Sequence, residues 1–185
     1  MKKFLQSAAV AAVLALPGAA LAQSNEIVIG ISISTTGPAA ALGIPERNSL
    51  EFVAKEIGGV PLKVIVLDDA GDPTTATTNT RRFVTESKAD IIMGSSTTPS
   101  TIAVANVANE ASIPHLGLAP LPITPERAKW SVAMPQPIPI VGKVMYDHMK
   151  KNNIKTLGFI GFGDSYGDLW RNDLKNQAEP MGIQV

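Results

Sequence analysis

Residues 26–38 have the sequence EIVIGISISTTGP, an apolar run that ends in a loop-forming cluster. The stretch from Glu26 to Ile33, rich in β-branched residues, predicts a strand, and the residues Thr35 to Pro38 predict the loop that follows it. A strand that is apolar at nearly every position is typical of a parallel sheet covered by helices on both faces. This segment therefore favours an α/β fold.

The segments that follow alternate between predicted helices and predicted strands. Strands separated by helices of ten or more residues predict a doubly wound parallel sheet with right-handed crossovers. The predicted helices are residues 46–57, a helix opened by Asp72-Pro73-Thr74, and residues 101–111, 141–151 and 165–181. The predicted strands after the first are residues 62–67, 90–93, 113–118 and 156–162, with an extended piece at 130–134 and a strand beginning at 183–185.

The amino terminus has the pattern of a cleavable signal peptide. Lys2 and Lys3 precede the apolar stretch from Phe4 to Leu16, which is too short to span a bilayer as a helix. Pro17-Gly18 breaks the helix, and Ala20-Leu21-Ala22 is a small-x-small cleavage site. We expect cleavage after Ala22, export to the periplasm, and no lipid anchor, because no cysteine follows the site.

A proline-rich span divides the remaining chain. Six prolines fall between Pro120 and Pro139, as is typical of a hinge or a domain boundary. The predicted organisation is a signal peptide at residues 1–22, a first α/β lobe at residues 23–134, and a hinge crossing with the start of a second lobe at residues 135–185. The chain stops where another strand is expected, so the second lobe is predicted to be incomplete.

Composition excludes several classes of function. The 16 basic and 16 acidic residues form no basic patch suited to nucleic acid, and the chain has no cysteine for disulfides, thiolate metal sites or nucleophilic catalysis. The two histidines, His115 and His148, are not spaced as metal ligands. We therefore expect no metal, no cofactor and no nucleic-acid partner.

Hydroxyl-rich loops follow the predicted strands. In a doubly wound sheet, ligands bind beyond the carboxyl ends of the strands. Small hydroxyl residues and exposed amides suit a carboxylate ligand there, especially at Pro99-Ser100, where the positive end of a helix dipole begins. A simple helix-capping role for residues 95–100 remains open. The loops are residues 34–42, 68–72, 94–100 and 119–124, and apart from Asp68, Asp69 and Asp72 they carry almost no charge.

Four stretches carry a resemblance to a known family. They are residues 29–43 (IGISISTTGPAAALG), 67–73 (LDDAGDP), 93–100 (MGSSTTPS) and 159–167 (FIGFGDSYG). In this order and spacing the chain resembles the type I periplasmic binding proteins of the leucine/isoleucine/valine-binding kind, including the branch that takes aromatic and other carboxylates. Members are roughly twice as long, so the resemblance covers the first lobe and the opening of the second.

The resemblance implies two lobes that close on a ligand and perform no chemistry. It also implies a site. Ser95, Ser96, Thr97 and Thr98 match the hydroxyls and amides that grip the ligand carboxylate. Ala119, Pro120 and Leu121 match the segment whose backbone meets the ligand's polar head. Leu42 stands where many members have an aromatic ring, and Tyr166 matches the second-lobe tyrosine that closes on the ligand.

The implied function is ligand delivery to the permease of an ABC importer. The ligand is expected to be a branched-chain amino acid or a related small carboxylate. Pro122 stands near a position where amino-acid-binding members tend to have Ser or Thr, and proline offers no donor, which favours an aromatic carboxylate as the alternative. A sensory receptor on the same fold is also open. Because half of the binding walls would be missing, we expect the isolated chain to bind in the high-micromolar range or more weakly.

An enzymatic alternative rests on Gly163-Asp164-Ser165-Tyr166-Gly167, which fits the G-x-S-x-G nucleophile elbow of serine hydrolases. The hydrolase order requires a histidine after the serine, and none follows His148. Without that base Ser165 is an ordinary hydroxyl, and Asp164 or Ser165 is expected to cap a helix. We therefore predict that the chain is not an enzyme.

Overall fold

A computed structural model describes residues 26–185, so the predicted signal peptide lies outside the described residues. Six strands of this part form one sheet with the order β2-β3-β1-β4-β5-β6. All neighbouring strands are parallel except β2 and β3, which form an antiparallel hairpin. The strands are β1 Ile27–Ile33, β2 Glu56–Ile57, β3 Val60–Asp68, β4 Ile91–Gly94, β5 His115–Gly117 and β6 Ser131–Ala133.

Five α-helices accompany the sheet, and the prediction of an α/β fold with a parallel sheet is confirmed. The helices are α1 Ala40–Ser49, α2 Pro73–Thr85, α3 Thr98–Ala111, α4 Ile138–Lys151 and α5 Ser165–Asp173. Among residues 26–185 no helix is both long and apolar enough to cross a membrane. α2, α3 and α4 agree with the sequence patterns to within three residues at their starts.

The main core lies between one face of the sheet and the pair α2 and α3. Val28 and Ile92 on the strands pack with Phe83 on α2 and Val104 on α3. Gly30 lies directly beneath the Phe83 ring, and a side chain at this glycine would overlap that ring. The sequence therefore keeps a glycine in the central strand because a buried aromatic ring approaches the backbone closely.

The first helix differs from the prediction. Residues 46–57 were expected to be helical, but α1 begins at Ala40 and is followed by a 3-10 turn, Leu50–Phe52, and by β2. Gly58 and Gly59 both have positive φ and form the two-residue turn of the β2–β3 hairpin. Of the apolar residues that suggested a helical face, Val53, Ala54 and Ile57 are exposed and Leu50 is half-buried. The prediction was wrong because it treated a hairpin turn as the end of a helix.

The proline-rich span returns a strand to the first sheet. β6 pairs in parallel with β5, with Leu116 opposite Val132, as the extended piece at residues 130–134 suggested. β6 therefore covers the edge of β5 and is itself the last strand on that side of the sheet. The domain boundary at residue 134 stays a prediction.

The last part of the chain differs at the predicted strand 156–162. Only Thr156 forms a bridge, a parallel one to Gln184, and Ile160 is fully exposed. A strand requires a neighbouring strand along its length, and within the described residues this segment has a partner at one position only. The helix predicted at residues 165–181 forms, but α5 continues as a π-helical stretch, Leu174–Ala178, and a 3-10 turn, Glu179–Met181.

A second, smaller core packs α4 against the helical segment that starts with α5. Tyr146 is fully buried and donates a hydrogen bond of 2.8 Å to Oδ2 of Asp173. Burial, the donated bond and the charge of Asp173 all raise the pKa of Tyr146. Gly142 faces the same carboxylate, and a side chain there would overlap it. The close approach of α4 to α5 therefore depends on this glycine.

Candidate ligand-binding site

The candidate site lies at the carboxyl ends of β1, β3 and β4. The parallel strands follow the order β3-β1-β4-β5-β6, so the direction of winding reverses between β1 and β4. In sheets of this kind, the crevice at the reversal point is where ligands bind. The segments that meet there are the β1–α1 loop, the β3–α2 loop and the β4–α3 loop, with the amino terminus of α3 beginning at Thr98.

A buried carboxylate, Asp69, joins the three strand ends. Its Oδ2 accepts hydrogen bonds of 2.7 Å from the hydroxyls of Ser32 and Ser95. Its Oδ1 accepts bonds of 2.7 Å from the Ser34 hydroxyl and 3.0 Å from the Gly71 amide. Asp69 is fully buried, and four donors satisfy its charge without a basic partner. It fixes the relative positions of the loops that form the site.

Ser96 connects the same loops to α1. Its Oγ accepts a hydrogen bond of 3.0 Å from the Ser34 amide and donates to Oε2 of Glu46. Burial raises the pKa of the Glu46 carboxyl; the bond from Ser96 lowers it in part, and the charge of Asp69 adds to the rise. Glu46 thus ties the helix that carries Leu42 to the β4–α3 loop.

These bonds decide which of the predicted hydroxyls remain available to a ligand. A serine hydroxyl has one proton to donate, and Ser95 and Ser96 donate theirs to Asp69 and Glu46. The hydroxyls of Thr97, Thr98 and Ser100 are buried and have no hydrogen-bond partner. The four predicted hydroxyl residues therefore have two roles. Ser95 and Ser96 use their hydroxyl protons to hold the loop, whereas Thr97 and Thr98 have hydroxyl donors without a partner.

The loop is also anchored to α3 and to the base of the sheet. Oγ1 of Thr101 bonds the amide and the carbonyl of Ser95 at 2.9 and 2.8 Å. Nε2 of His115 lies 2.7 Å from the carbonyl oxygen of Gly94, so this nitrogen carries the proton, and Nδ1 faces the Ser131 hydroxyl at 3.2 Å. Burial lowers the pKa of His115, which holds the imidazole in its neutral form.

Asp68 organises the opposite side of the crevice. Its carboxylate accepts hydrogen bonds from the amides of Thr35, Thr36 and Ala70 and from the Thr36 hydroxyl. Partial burial alone would raise the pKa of Asp68, but the Thr36 hydroxyl and the three amides outweigh that effect and lower it to about 2. The β1–α1 loop is therefore held to β3 by a side chain that stays ionised at physiological pH.

The other predicted residues are distributed around this centre. Leu42 is exposed on α1, whereas Ala119 and Leu121 are buried and Pro120 is half-buried. The Leu121 side chain lies beside Gly117 on β5, so this leucine is packed inward. Tyr166 lies in a separate open groove of about 440 Å³. The other residues of the groove are Phe159, Ile160, Gly161, Phe162, Gly167 and Trp170.

The sequence reasoning missed Ser32, Ser34 and Glu46 and did not assign a role to Asp69. The available signal was the pair of serines at alternate positions near the end of β1, which places two hydroxyls on one face of the sheet. Asp72, by contrast, caps α2, and its Oδ1 accepts the Thr75 amide at 2.6 Å. The three acidic residues therefore have three roles: Asp68 anchors a loop, Asp69 is a buried acceptor and Asp72 caps a helix.

The hydrolase alternative finds no support in the geometry. Asp164 caps α5, its Oδ1 accepting the amides of Tyr166 and Gly167 at 2.9 and 3.0 Å. Ser165 Oγ is buried and forms no hydrogen bond with a histidine. His115 faces Gly94 and Ser131, and His148 lies beside Asn152. Within residues 26–185, no group of three or more His, Asp or Glu side chains is placed to hold a metal ion.

Comparison with known proteins identifies the family. A family model described as "Periplasmic binding protein" matches residues 26–185. The "Leu/Ile/Val-binding protein homolog 1" of Brucella abortus is 26% identical over 197 residues, which cover 99% of this chain and 51% of that protein. The chain belongs to the type I periplasmic binding proteins of the leucine/isoleucine/valine-binding family, whose members bind solutes and are not enzymes.

Solved structures share the fold of this chain. Rp1789 of Rhodopseudomonas palustris (strain CGA009) is 80% identical with a TM-score of 0.84, over 86% of this chain and 45% of that one. A solute-binding protein of Rhodopseudomonas palustris BisB5 in complex with 3,4-dihydroxybenzoic acid has a TM-score of 0.79 at 22% identity, over 87% of this chain and 46% of that one, and shares the fold. The chain spans about half the length of the relatives it matches.

Proposed function

We propose that this chain is the ligand-gripping first part of an extracytoplasmic binding protein that delivers a branched-chain amino acid or a related small carboxylate to the permease of an ABC importer. The observation that carries the proposal is the set of buried, unpartnered hydroxyls at the start of α3, on Thr97, Thr98 and Ser100. Buried donors without partners are rare, and a carboxylate ligand would satisfy them.

The surroundings suit an anion held by neutral groups. α3 is 14 residues long, and the positive end of its dipole adds to the hydroxyls. The Thr97 side chain makes no capping hydrogen bond to the first turn of α3. Gly71 lies close to Ala39, Ser34 and Thr97 without a side chain to fill the space between the three loops. Ser95 and Ser96, together with the backbone at Ala119, Pro120 and Leu121, complete the first wall in this proposal. Leu42 would face the ligand side chain from α1, and Tyr166 would reach it only when the second lobe closes over the first.

An aromatic carboxylate is the second candidate ligand. Pro122 has no amide hydrogen, and its carbonyl accepts a bond of 3.1 Å from Arg127, so this position offers a ligand no hydrogen-bond donor. The relative named for Leu, Ile and Val supports the amino acid, whereas the dihydroxybenzoate-bound protein shares only the fold. The ligand panel should therefore contain leucine, isoleucine, benzoate and 4-hydroxybenzoate.

Replacing Thr98 by valine tests the site. The substitution removes the free hydroxyl and keeps the shape, and a hydrogen bond to a charged group contributes about 1.5–3 kcal/mol. We expect T98V to weaken binding of the best carboxylate of the panel by about 10- to 150-fold in calorimetric titration. T77V on the exposed face of α2, where the hydroxyl bonds only its own helix, is the matched control. Equal affinity of T98V and T77V would contradict the proposed site.

Export is the second element of the proposal. Because the Ala20-Leu21-Ala22 site follows a Pro-Gly break, we expect the protein to be recovered from the periplasm with Gln23 as its first residue. Intact-mass measurement of the periplasmic and cytoplasmic fractions checks this. A protein that keeps Met1 and stays in the cytoplasm would rule out the proposed localisation and, with it, delivery to an importer.

A further inference from the structure

Glu46 occupies an unusual position for a carboxylate beside an anion site. It lies on α1, and its Oε2 accepts the single hydroxyl proton of Ser96, the residue that precedes the two threonines with free hydroxyls. One lone pair of Ser96 Oγ already accepts the Ser34 amide at 3.0 Å, which leaves one lone pair unused. While Glu46 is ionised, Ser96 therefore has no proton to offer a ligand.

We propose that Glu46 is a positioning residue that takes up a proton when the carboxylate ligand binds and thereby releases the Ser96 hydroxyl to donate to that ligand. The proposal rests on the proposed function and adds a linkage between binding and pH. The proton comes from solvent and forms the O–H bond of the Glu46 carboxyl. That O–H then donates to the free lone pair of Ser96 Oγ, and the Ser96 proton turns to the ligand oxygen.

The charges around Glu46 favour this exchange. From the β3–α2 loop, the buried Asp69 acts on it with the same sign. The β4–α3 loop and the first turn of α3, residues 95–101, contain no titratable side chain. On α1 itself the neighbouring charge is Arg47, which is exposed, and none of the ion pairs of residues 26–185 involves Glu46. An anionic ligand would add a further negative charge, which makes the protonated carboxyl more favourable still.

The raised pKa of Glu46 in the free protein agrees with the geometry. The direction of this pKa shift determines how ligand affinity changes with pH. A ligand that binds better to the protonated form raises that pKa further, so the affinity must increase as pH falls and must level off once the free protein is itself protonated. His115 lies under the same loop, and it is common to every variant compared below, so its own titration cancels.

Calorimetric titration with isoleucine and with benzoate, between pH 5.5 and pH 8.0, tests the proposal. Each titration is repeated in buffers with different ionisation enthalpies, because the dependence of the heat on the buffer counts the protons taken up. For the unsubstituted chain we expect proton uptake and an affinity that rises by up to about tenfold per pH unit as pH falls. E51Q, on the exposed turn after α1, is the matched control and should behave identically.

Two substitutions should remove the pH dependence in opposite ways. E46Q places an amide donor beside Ser96 Oγ, so we expect it to bind at pH 8.0 as tightly as the unsubstituted chain binds at low pH. S96A removes the released hydroxyl, so we expect weak binding at every pH. In the unsubstituted chain, carboxyl NMR signals of Glu46 should show its pKa rising on ligand addition, a measurement that does not depend on either variant folding.

The outcomes separate the two proposals. Binding without proton uptake, or an E46Q variant that keeps the pH profile of the unsubstituted chain, would overturn the role of Glu46 and leave the proposed function intact. If neither probe binds at any pH, the proposed function fails and the linkage fails with it.

Discussion

Replacing Asp69 by asparagine is expected to destabilise the protein by about 3 kcal/mol or more. The buried carboxylate accepts four hydrogen bonds, three of them from the hydroxyls of Ser32, Ser34 and Ser95. An asparagine has one acceptor oxygen in place of two, and its amide nitrogen would face hydroxyls that have no other acceptor. Each buried donor left without a partner costs about 1–3 kcal/mol, and bonds to a charged acceptor are the stronger kind.

Asp72→Ala is the matched control for this change, because Asp72 lies in the same loop and caps α2 from an exposed position. Loss of an amino-terminal cap costs about 1 kcal/mol. Urea unfolding of both variants gives the comparison. If D69N were no less stable than D72A, Asp69 would not be the residue that joins the three strand ends.

Replacing Gly43 by alanine is expected to have an effect of similar size. α1 crosses the end of β1 at Gly43, and a side chain there would overlap the backbone of Ser34, which cannot rotate away as a flexible side chain could. The helix must therefore move away from the strand, and overpacking of this kind costs about 1–3 kcal/mol, occasionally more. The shift would also draw Glu46 away from Ser96, so we expect weaker ligand binding as well as a lower melting temperature.

Gly163→Ala is the matched control, since Gly163 has no heavy atom near the position of an added side chain and its φ is not positive. Thermal unfolding followed by circular dichroism measures both variants. An unchanged melting temperature for G43A would mean that α1 can leave the strand end without cost.

The elements with a local sequence pattern could be predicted, whereas those that depend on pairing with another strand could not. α2 was predicted because Asp72 and Pro73 mark its start, and the structure has Asp72 as the cap and Pro73 as the first residue. The hairpin was missed because Leu50, Val53 and Ile57 recur at helical spacing, although none of them is buried. Residues 156–162 have the composition of a strand, but composition cannot supply the neighbour that a strand needs.

The same distinction holds for the candidate site. Residues 95–97 form a loop at the carboxyl end of β4, as the sequence indicated, and Thr98 begins α3; the contacts of these residues with a ligand stay a prediction. Which hydroxyls face inward depends on Asp69, which is 26 residues from Ser95 in the chain and is brought beside it by the sheet topology. No pattern within the loop itself indicates which hydroxyls face inward. Their direction is set by the pairing of strands that are distant in the sequence.

The neutrality of the donors at the start of α3 has a consequence for the speed of ligand capture. In the proposed site the ligand meets the hydroxyls of Thr97 and Thr98 and a helix dipole, with the negative charge of Asp69 behind them. The field of a dipole falls off faster with distance than that of a net charge, so an anion is attracted only once it is within the crevice. The association rate would then be that of ordinary diffusion and would depend little on ionic strength. Discrimination among solutes would come from differences in their dissociation rates.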